Sequence, residues 1–474
     1  MTAPSTLDEG LADRLRDRLE AGPGGRSLHP IGIGRILIGP GALDRLADEV
    51  AAVSSGPIVL LEDATPMLRL GTDLKAAVEK HLGGFADVRR EVLTGRDGQL
   101  HADDGTLAVA RAAVEGAGCV VSVGSGTLTD IAKDACNHRG GTPLVAVQTA
   151  VSVNGFSDDM AVILRDGVKR TVPSSWVTTL LIDTEIIRDA PEAMNQAGVG
   201  ELLAMFTAPA DWHLAALVGL DGSYSAGVVD LFRREGDRLL TIAGGVGRRD
   251  GDALDELARL MTASGIALGV AGRTAPLSGM EHTVSHMLDM SAGHTGTPVG
   301  LHGAQVGVAA VVAAALWERM IATLSAQSLR HVVVVPSVED LERRVKGAFS
   351  DVDPSGTMGA ECWSDYAKKL DAWAGAQPSV GELSEQWDDA VSAVRRVLVS
   401  PEEMVTALHA AGAPVRFRDL DPPVDPDRAR WAVANCHLMR DRFTIADLAF
   451  FTGNWNDGDV DEVLDRVADL GGGL

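Results

Sequence analysis

Aromatic side chains are scarce in this chain: Phe, Trp and Tyr make up 4% of its 474 residues, with only two Tyr. Its cores must therefore be aliphatic, which the plentiful Ala, Val and Gly allow. No C-x-x-C pair occurs among the four cysteines, Cys119, Cys136, Cys362 and Cys436. Scattered as they are, they read as small buried hydrophobes in a reducing compartment, not as redox centres or ligands. A basic run is missing too, and 42 Lys+Arg against 66 Asp+Glu give a formal charge of −24. A field of that sign repels nucleic acid and anionic membranes, so neither is an expected partner. Any phosphate-bearing ligand must be held by local backbone N–H groups and single cations. Residues Met1–Gly10 are polar and acidic, unlike a signal peptide. No apolar run approaches the ~20 residues of a membrane span. A cytoplasmic protein acting on a small molecule is predicted.

The length allows two domains with separate cores. Over roughly the first 190 residues, short β-branched runs alternate with helical patterns. Strands are predicted at Arg35–Ile38, Pro57–Leu61, Cys119–Val123, Pro143–Gln148 and Thr179–Ile182, and amphipathic helices at Asp73–His81 and Gly105–Ala117. That alternation argues for βαβ units and a largely parallel sheet. Bounded by Gly or Pro, the short runs fit strands buried on both faces. After Ala190 the character changes. Pro191 suits a first helical turn, and Glu192–Ala216 reads as one long Ala/Leu-rich helix. Beyond it only helix signals follow, apart from a β-branched run at 330–335 of uncertain meaning. Stretches Arg248–Asp255 and Ser350–Glu361 read as acidic surface loops. The expected fold is α/β: a Rossmann-like parallel-sheet domain over residues 1–195, then an all-helical domain over 196–474.

Two constellations carry chemistry. In the first, the buried run Val120–Val123 enters Gly124-Ser125-Gly126-Thr127, then a helix containing Thr129, Asp130 and Lys133. Glycines permit close backbone approach, and a helix N-terminus offers unpaired N–H groups and positive dipole, which together form a pyrophosphate cradle. A bland tight turn uses the same residues, and the spacing is not the G-x-G-x-x-G of the common dinucleotide fold. In the second, His282 and His286 lie four apart, hence on one helix face, and His302 follows between Gly300 and Gly303. A lone buried histidine is usually a satisfied core residue. Three of the chain's twelve histidines within about 20 residues favour metal or proton chemistry. Glu201 interrupts an apolar stretch and offers a carboxylate, though a solvated helix acid reads equally well.

These strings resemble the sn-glycerol-1-phosphate dehydrogenases, within the iron-containing alcohol dehydrogenase and dehydroquinate synthase-like superfamily. The resemblance rests on Gly124–Asp130, Val147–Gly155, Ala197–Ala215, Ser278–His286, Leu301–Gly303 and Arg442–Leu448, in that order. It implies a divalent metal, zinc with iron or nickel as alternatives, held by Glu201, His282 and His302, with His286 beside the substrate as a polar or proton-relay residue. It implies NAD or NADP on Gly124, Ser125, Gly126 and Thr127, with Asp130, Thr149 and Ser152 nearby. Asp63, just after the Pro57–Leu61 run, is placed to accept from a ribose diol, which favours NAD. Assembly as a homo-oligomer, a dimer or larger, is also implied.

Three residues depart from the pattern the resemblance sets. Glu201 stands where these dehydrogenases usually carry Asp; Glu is typical of the related sugar-phosphate cyclases. Asn154 replaces the Asp of a Ser-x-Asp-Gly loop, exchanging an acid for an amide that cannot take a proton. Ala275 stands where the family commonly has Arg, leaving Arg273, Lys169 and Arg170 as candidate cations for a substrate phosphate. The leading expectation is an NAD(P)-dependent, metal-containing dehydrogenase of a small polyol phosphate or a relative of one. The alternatives are a cyclase or lyase of the dehydroquinate synthase type and a non-catalytic relative of the fold.

Overall fold

The computed structural model describes residues 6–22, 28–95, 100–165, 168–327, 329 and 337–474. The run expected at 330–335 lies outside them. Two compact units are present: Met1–Val199 with Asp230–Arg273, and Gly200–Val229 with Thr274–Leu474. The division is thus not a single cut near residue 195, because the segment Asp230–Arg273 packs with the first unit.

Among the described residues ten strands belong to the first unit: β1 Arg35–Ile38, β2 Ile58–Asp63, β3 Leu68–Arg69, β4 Thr72–Asp73, β5 Val88–Leu93, β6 Cys119–Gly124, β7 Leu144–Gln148, β8 Met160–Arg165, β9 Val168–Pro173 and β10 Thr179–Ile182. Six form one sheet in the order β1-β10-β7-β6-β2-β5, every pair parallel. The central strands β6, β7 and β10 are buried along their whole length. Their β-branched and aliphatic residues, among them Val121, Val123, Val145, Val147 and Leu181, join one core with Leu60 and Leu74. Strands covered on both faces read as short continuous apolar runs, so the sequence reports them well. Strand β5 has no such signature. Its Val-Arg-Arg-Glu-Val-Leu sequence lies mostly exposed at the sheet edge, where charge protects an open strand from further pairing.

Register decides what the sheet presents. Glu62 pairs with Val123 and Gly124 with Gln148, so the carboxyl ends of β2, β6 and β7 lie side by side. Asp63 closes β2 there, and Ser125–Thr127 and Thr149–Asn154 leave the sheet along that same edge. Open parallel sheets bind ligands beyond those ends. Helix starts nearby are capped as their sequences dictate. Asp73 accepts from Lys75 and Ala76 N–H ahead of the helix Leu74–Leu82, and Asp103 from Thr106 N–H ahead of Asp104–Ala113.

The second unit is helical. Its helix His302–Thr323 has a mean hydropathy of 1.5 over its most apolar window, long and apolar enough to cross a membrane by length and composition alone. The expectation that no run approached that length is therefore corrected. Of that window, 72% is buried inside the protein, with Val306, Val308, Val311, Val312 and Leu316 fully covered, so it reads as a core helix. Three other expectations also change. The stretch Glu192–Ala216 is not one helix: Glu192–Leu203 gives way to a 3-10 turn at Ala204–Phe206, and Ala208–Leu217 restarts with Pro209 in its first turn. Arg248–Asp255 is not a loop throughout: Asp250 caps the helix Gly251–Ala271, and buried Asp255 accepts from the Thr184 hydroxyl. Ser350–Glu361 turns helical from Thr357, with Asp353 buried and receiving the Met358 N–H at 2.7 Å.

Candidate active site

In the first unit the helix Gly126–His138 begins directly where β6 ends, and no side chain caps its start. Its first N–H groups therefore face out with the positive end of the helix dipole, the arrangement that suits a phosphate. Gly126 is closely approached: a Cβ there would stand 2.7 Å from Val153 Cγ2, so that side chain would have to shift. The next strand's loop returns to the same place, with Thr149 N–H donating to Gly124 O at 3.1 Å. Thr149 and Ser152 are buried. Asp130 lies against the same loop, its Oδ1 3.7 Å from where a Cβ on Gly155 would stand. Asp63 ends β2, its carboxylate accepting from Thr65 N–H at 2.9 Å and Thr65 Oγ1 at 3.0 Å. Thus the residues named for cofactor binding gather at adjoining strand ends.

The loop's anchor was not singled out from sequence. Lys133, fully buried on that first helix, donates to Gly155 O at 2.9 Å and pairs with Asp158 Oδ1 at 2.5 Å. A lysine on the buried face of an amphipathic helix was the available signal. Asn154 lies in the anchored loop, half-buried, its carbonyl accepting from Ser157 N–H at 3.2 Å. Lys169 pairs through its backbone with Leu164 in the β8–β9 hairpin; its side chain lies outside the described residues.

In the second unit Glu201, His282 and His302 converge from three helices. One ligand atom from each lies within 4.8 Å of the other two. His282 Nε2 stands 3.7 Å from Glu201 Oε1, and His302 Nε2 stands 3.9 Å from Glu201 Oε2. Donors about 2.0–2.1 Å from a tetrahedral ion lie roughly 3.3 Å apart, so small side-chain rotations close the difference. Backbone contact makes the convergence possible. A Cβ on Gly307 would come within 2.7 Å of Gly200 Cα, and one on Gly200 would strike the Gly303 carbonyl. The helix carrying Glu201 therefore crosses the one starting at His302 with no side chain between them.

Three observations fit this set to a cation. Glu201 is 3% exposed, and its Oε2 has no hydrogen-bond partner among the described residues. An orphaned buried acceptor costs about 1–3 kcal/mol, and a cation satisfies it. Burial pushes the His282 imidazole down, but Glu201 and Glu281 beside it push harder and raise it to about 9. The same negative field from the two carboxylates that favours a proton also favours a divalent cation in competition with it. Finally, one carboxylate with two imidazoles is the donor set of a catalytic zinc with an open position.

His286 lies one turn beyond His282, half-buried, its ring centroid 5.5 Å from that of His302 and 6.3 Å from that of His282. It stands beside the cluster and not among its closest donors. Ala275 is buried in the short turn Ala275–Leu277, and Arg273 is exposed. The guanidinium at this turn comes from Arg442, which donates to Ser278 O, Ser278 Oγ and, at 2.6 Å, Thr274 Oγ1. Burial lowers Arg442 to about 10, which leaves it charged at neutral pH. Asp211 was also missed. It accepts from Met280 N–H at 2.9 Å, Ile445 N–H at 3.0 Å and Trp317 Nε1 at 3.0 Å, tying the start of the His282 helix to two others.

A family model described as iron-containing alcohol dehydrogenase matches residues 37–191. The glycerol-1-phosphate dehydrogenase [NAD(P)+] of Bacillus licheniformis is 26% identical over 419 residues, 88% of this chain and 88% of that protein. The protein of the same name from Bacillus velezensis is 30% identical over 292 residues, 61% of this chain and 72% of its own. Among solved structures, a probable glycerol dehydrogenase from Sinorhizobium meliloti 1021 superposes with a TM-score of 0.55 at 17% identity, covering 92% of this chain and 97% of that one. The glycerol dehydrogenase of Schizosaccharomyces pombe gives 0.54 at 14% identity, covering 91% and 90%. The solved structures share the fold, and the sequence relatives carry the kinship further. The chain belongs to the glycerol-1-phosphate dehydrogenase family, within the iron-containing alcohol dehydrogenases, and is an NAD(P)-dependent oxidoreductase.

Proposed function

We propose that this protein is a metal-dependent dehydrogenase interconverting a hydroxyl and a carbonyl on a small polyol phosphate or a close relative of one. The observation that carries it is the convergence of Glu201, His282 and His302 around a buried carboxylate oxygen that has no hydrogen-bond partner among the described residues. In this reading the first unit binds NAD(P) and the second binds metal and substrate. When bound, the metal supplies Lewis-acid polarisation of the substrate oxygen, and NAD(P) supplies or accepts the hydride. Glu201, His282 and His302 hold the ion, which we assign as zinc. The uncapped N–H groups at Gly126 and Thr127 hold the pyrophosphate, Thr149, Ser152 and Asp130 flank it, and Asp63 takes the ribose diol. His286 moves the proton through its imidazole nitrogens.

The relatives are named for glycerol 1-phosphate, and we infer that this chain prefers a different but related substrate. Ala275 cannot donate to a phosphate, and Asn154 replaces an acid with an amide. The test is a panel of polyol phosphates and their carbonyl forms with metal-reconstituted protein, following NAD(P)H absorbance and product mass. Stoichiometric NAD(P)H change with product is expected. Product without net NAD(P)H change would establish the cyclase chemistry that Glu201 suggests. Full turnover in excess chelator would overturn the metal.

A further inference from the structure

His282 is gripped at both ring nitrogens. Its Nε2 faces Glu201 at 3.7 Å, and its Nδ1 lies 3.0 Å from Glu281 Oε1. An imidazole that gives one nitrogen to a metal carries its proton on the other, so the partner of the second nitrogen sets tautomer and ring plane. Glu281 is 0% exposed, and its carboxylate is itself held. Gly279 N–H donates to Oε1 at 2.6 Å, and the Thr207 hydroxyl donates to Oε2 at 2.9 Å. Thr207 follows the 3-10 turn Ala204–Phe206, just beyond the helix carrying Glu201. Both oxygens are therefore fixed before any ligand arrives. Among the described residues no Lys or Arg forms a salt bridge with Glu281; its ion-pair partner is His282. Beyond that pair, the carboxylate's charge also acts on the buried Arg442 guanidinium.

The other histidine is supported differently. His302 Nδ1 lies 3.0 Å from Ser285 Oγ, and that hydroxyl lies 2.7 Å from the side-chain amide of Gln305. One ring is backed by a fixed negative charge, and the other by a neutral relay.

We propose that Glu281 is a positioning residue of the metal centre. Its carboxylate accepts the Nδ1 proton of His282, locks the ring with Nε2 toward Glu201, and strengthens that nitrogen as a donor to a divalent cation. The proposal rests on the reading that Glu201, His282 and His302 hold a metal, and it assigns Glu281 no contact with substrate. It also ranks the two supports: losing Glu281 weakens the site more than losing Ser285.

The experiment measures Zn²⁺ affinity of the full-length protein by competition with a chromophoric chelator, and the absorption bands of bound Co²⁺. The variants are Glu281→Gln, Glu281→Ala, Ser285→Ala and His282→Ala, each assayed where its metal-free form is folded. Glu281→Gln keeps an acceptor oxygen of the same reach for His282 and Gly279, removes the charge, and sets an amide NH2 against the Thr207 hydroxyl, which must then accept instead of donate. Removing such a partner typically weakens metal binding about 10–100-fold. We expect Glu281→Ala in that range, Glu281→Gln weaker than wild type with shifted Co²⁺ bands, and Ser285→Ala the least affected. If Glu281→Ala does not fold, Glu281→Gln and its Co²⁺ spectrum carry the test. Wild-type affinity and spectrum in the Glu281 variants, with affinity lost in His282→Ala, overturn the positioning role alone. Wild-type affinity in His282→Ala overturns the metal reading itself, and the proposal with it.

Discussion

The turn at Gly124–Thr127 and the cluster at Glu201, His282 and His302 solve opposite problems. The first presents backbone N–H groups at an uncapped helix start, so its chemistry depends on how closely the chain can be approached. The second presents side chains, buried at Glu201 and His282 and partly covered at His302, drawn from positions about 100 residues apart. Its chemistry depends on charge and on which partners hold each ring. A backbone site tolerates changes in its own side chains as long as the turn survives. A side-chain site fails when one group is lost, because the others remain buried and unsatisfied.

The largest expected effect separates these two directly. His282→Ala should weaken Zn²⁺ binding by more than about 100-fold, beyond what loss of an outer partner does. Chelation should abolish turnover, and added Zn²⁺ should restore it. In the same variant NAD(P) affinity by calorimetry should stay within about threefold of wild type if the turn binds its cofactor without help from the cluster. A parallel loss of NAD(P) binding would show that the two regions do not act separately.

That contrast also explains what was legible in the amino-acid order. Strands β6, β7 and β10 are contiguous apolar runs buried on both faces, so their local composition names them. Strand β5 is an edge strand whose charges imitate a loop. The Gly-Ser-Gly-Thr turn is contiguous, and the His282–His286 spacing marks a shared helix face. Glu201 had only a weak local mark, a carboxylate interrupting an apolar stretch, since its partners come from other helices. Glu281 was the hardest to see. Neighbours in sequence on a helix do not normally face each other, and its contact with His282 exists only at the helix start, where Gly279 and Thr207 turn the carboxylate back. Arg442 was hidden for the same reason: its place beside Thr274 and Ser278 is set by the fold alone.

Next in size is substrate recognition. The natural protein should turn over dihydroxyacetone phosphate below about 10⁴ M⁻¹s⁻¹ in kcat/KM. One charge-assisted hydrogen bond to a phosphate is worth roughly 1.5–3 kcal/mol. Arg442 already supplies a guanidinium at this turn, so the Ala275→Arg, Asn154→Asp double variant should gain toward the lower end, on the order of tenfold. Natural turnover at or above that rate would return the chain to the plain family activity.

Gly126→Val should weaken NAD(P) binding at least tenfold, about 1.4 kcal/mol, without altering Zn²⁺ content. A Cβ at 126 also presses on Val153 Cγ2 at 2.7 Å, so the variant is paired with Val153→Ala. Relief of that contact should restore melting temperature but not cofactor affinity. Unchanged affinity by calorimetry in Gly126→Val would remove the turn from the cofactor site.

The smallest effect concerns which cofactor the turn receives. Asp63 ends β2 beside the turn after β6, where a carboxylate repels a ribose 2′-phosphate and accepts from a 2′-hydroxyl. Two features dilute that preference. Both carboxylate oxygens already accept from Thr65, at 2.9 and 3.0 Å. Lys75 Nζ stands 3.5 Å from Asp63 Oδ1 and also meets the Asp63 carbonyl, so a cation sits beside the acid that is meant to exclude phosphate. Partly exposed charge terms of this kind amount to about 1 kcal/mol or less. Asp63→Asn keeps an acceptor for the Thr65 N–H while removing the charge, and should shift kcat/KM toward NADP over NAD by roughly three- to fivefold. Lys75→Ala should move the ratio the other way, toward NAD. The two ratios, measured with one substrate at one ionic strength, isolate the electrostatic part of the choice. Should neither variant move the ratio, the ribose lies elsewhere and Asp63 serves only the Thr65 turn.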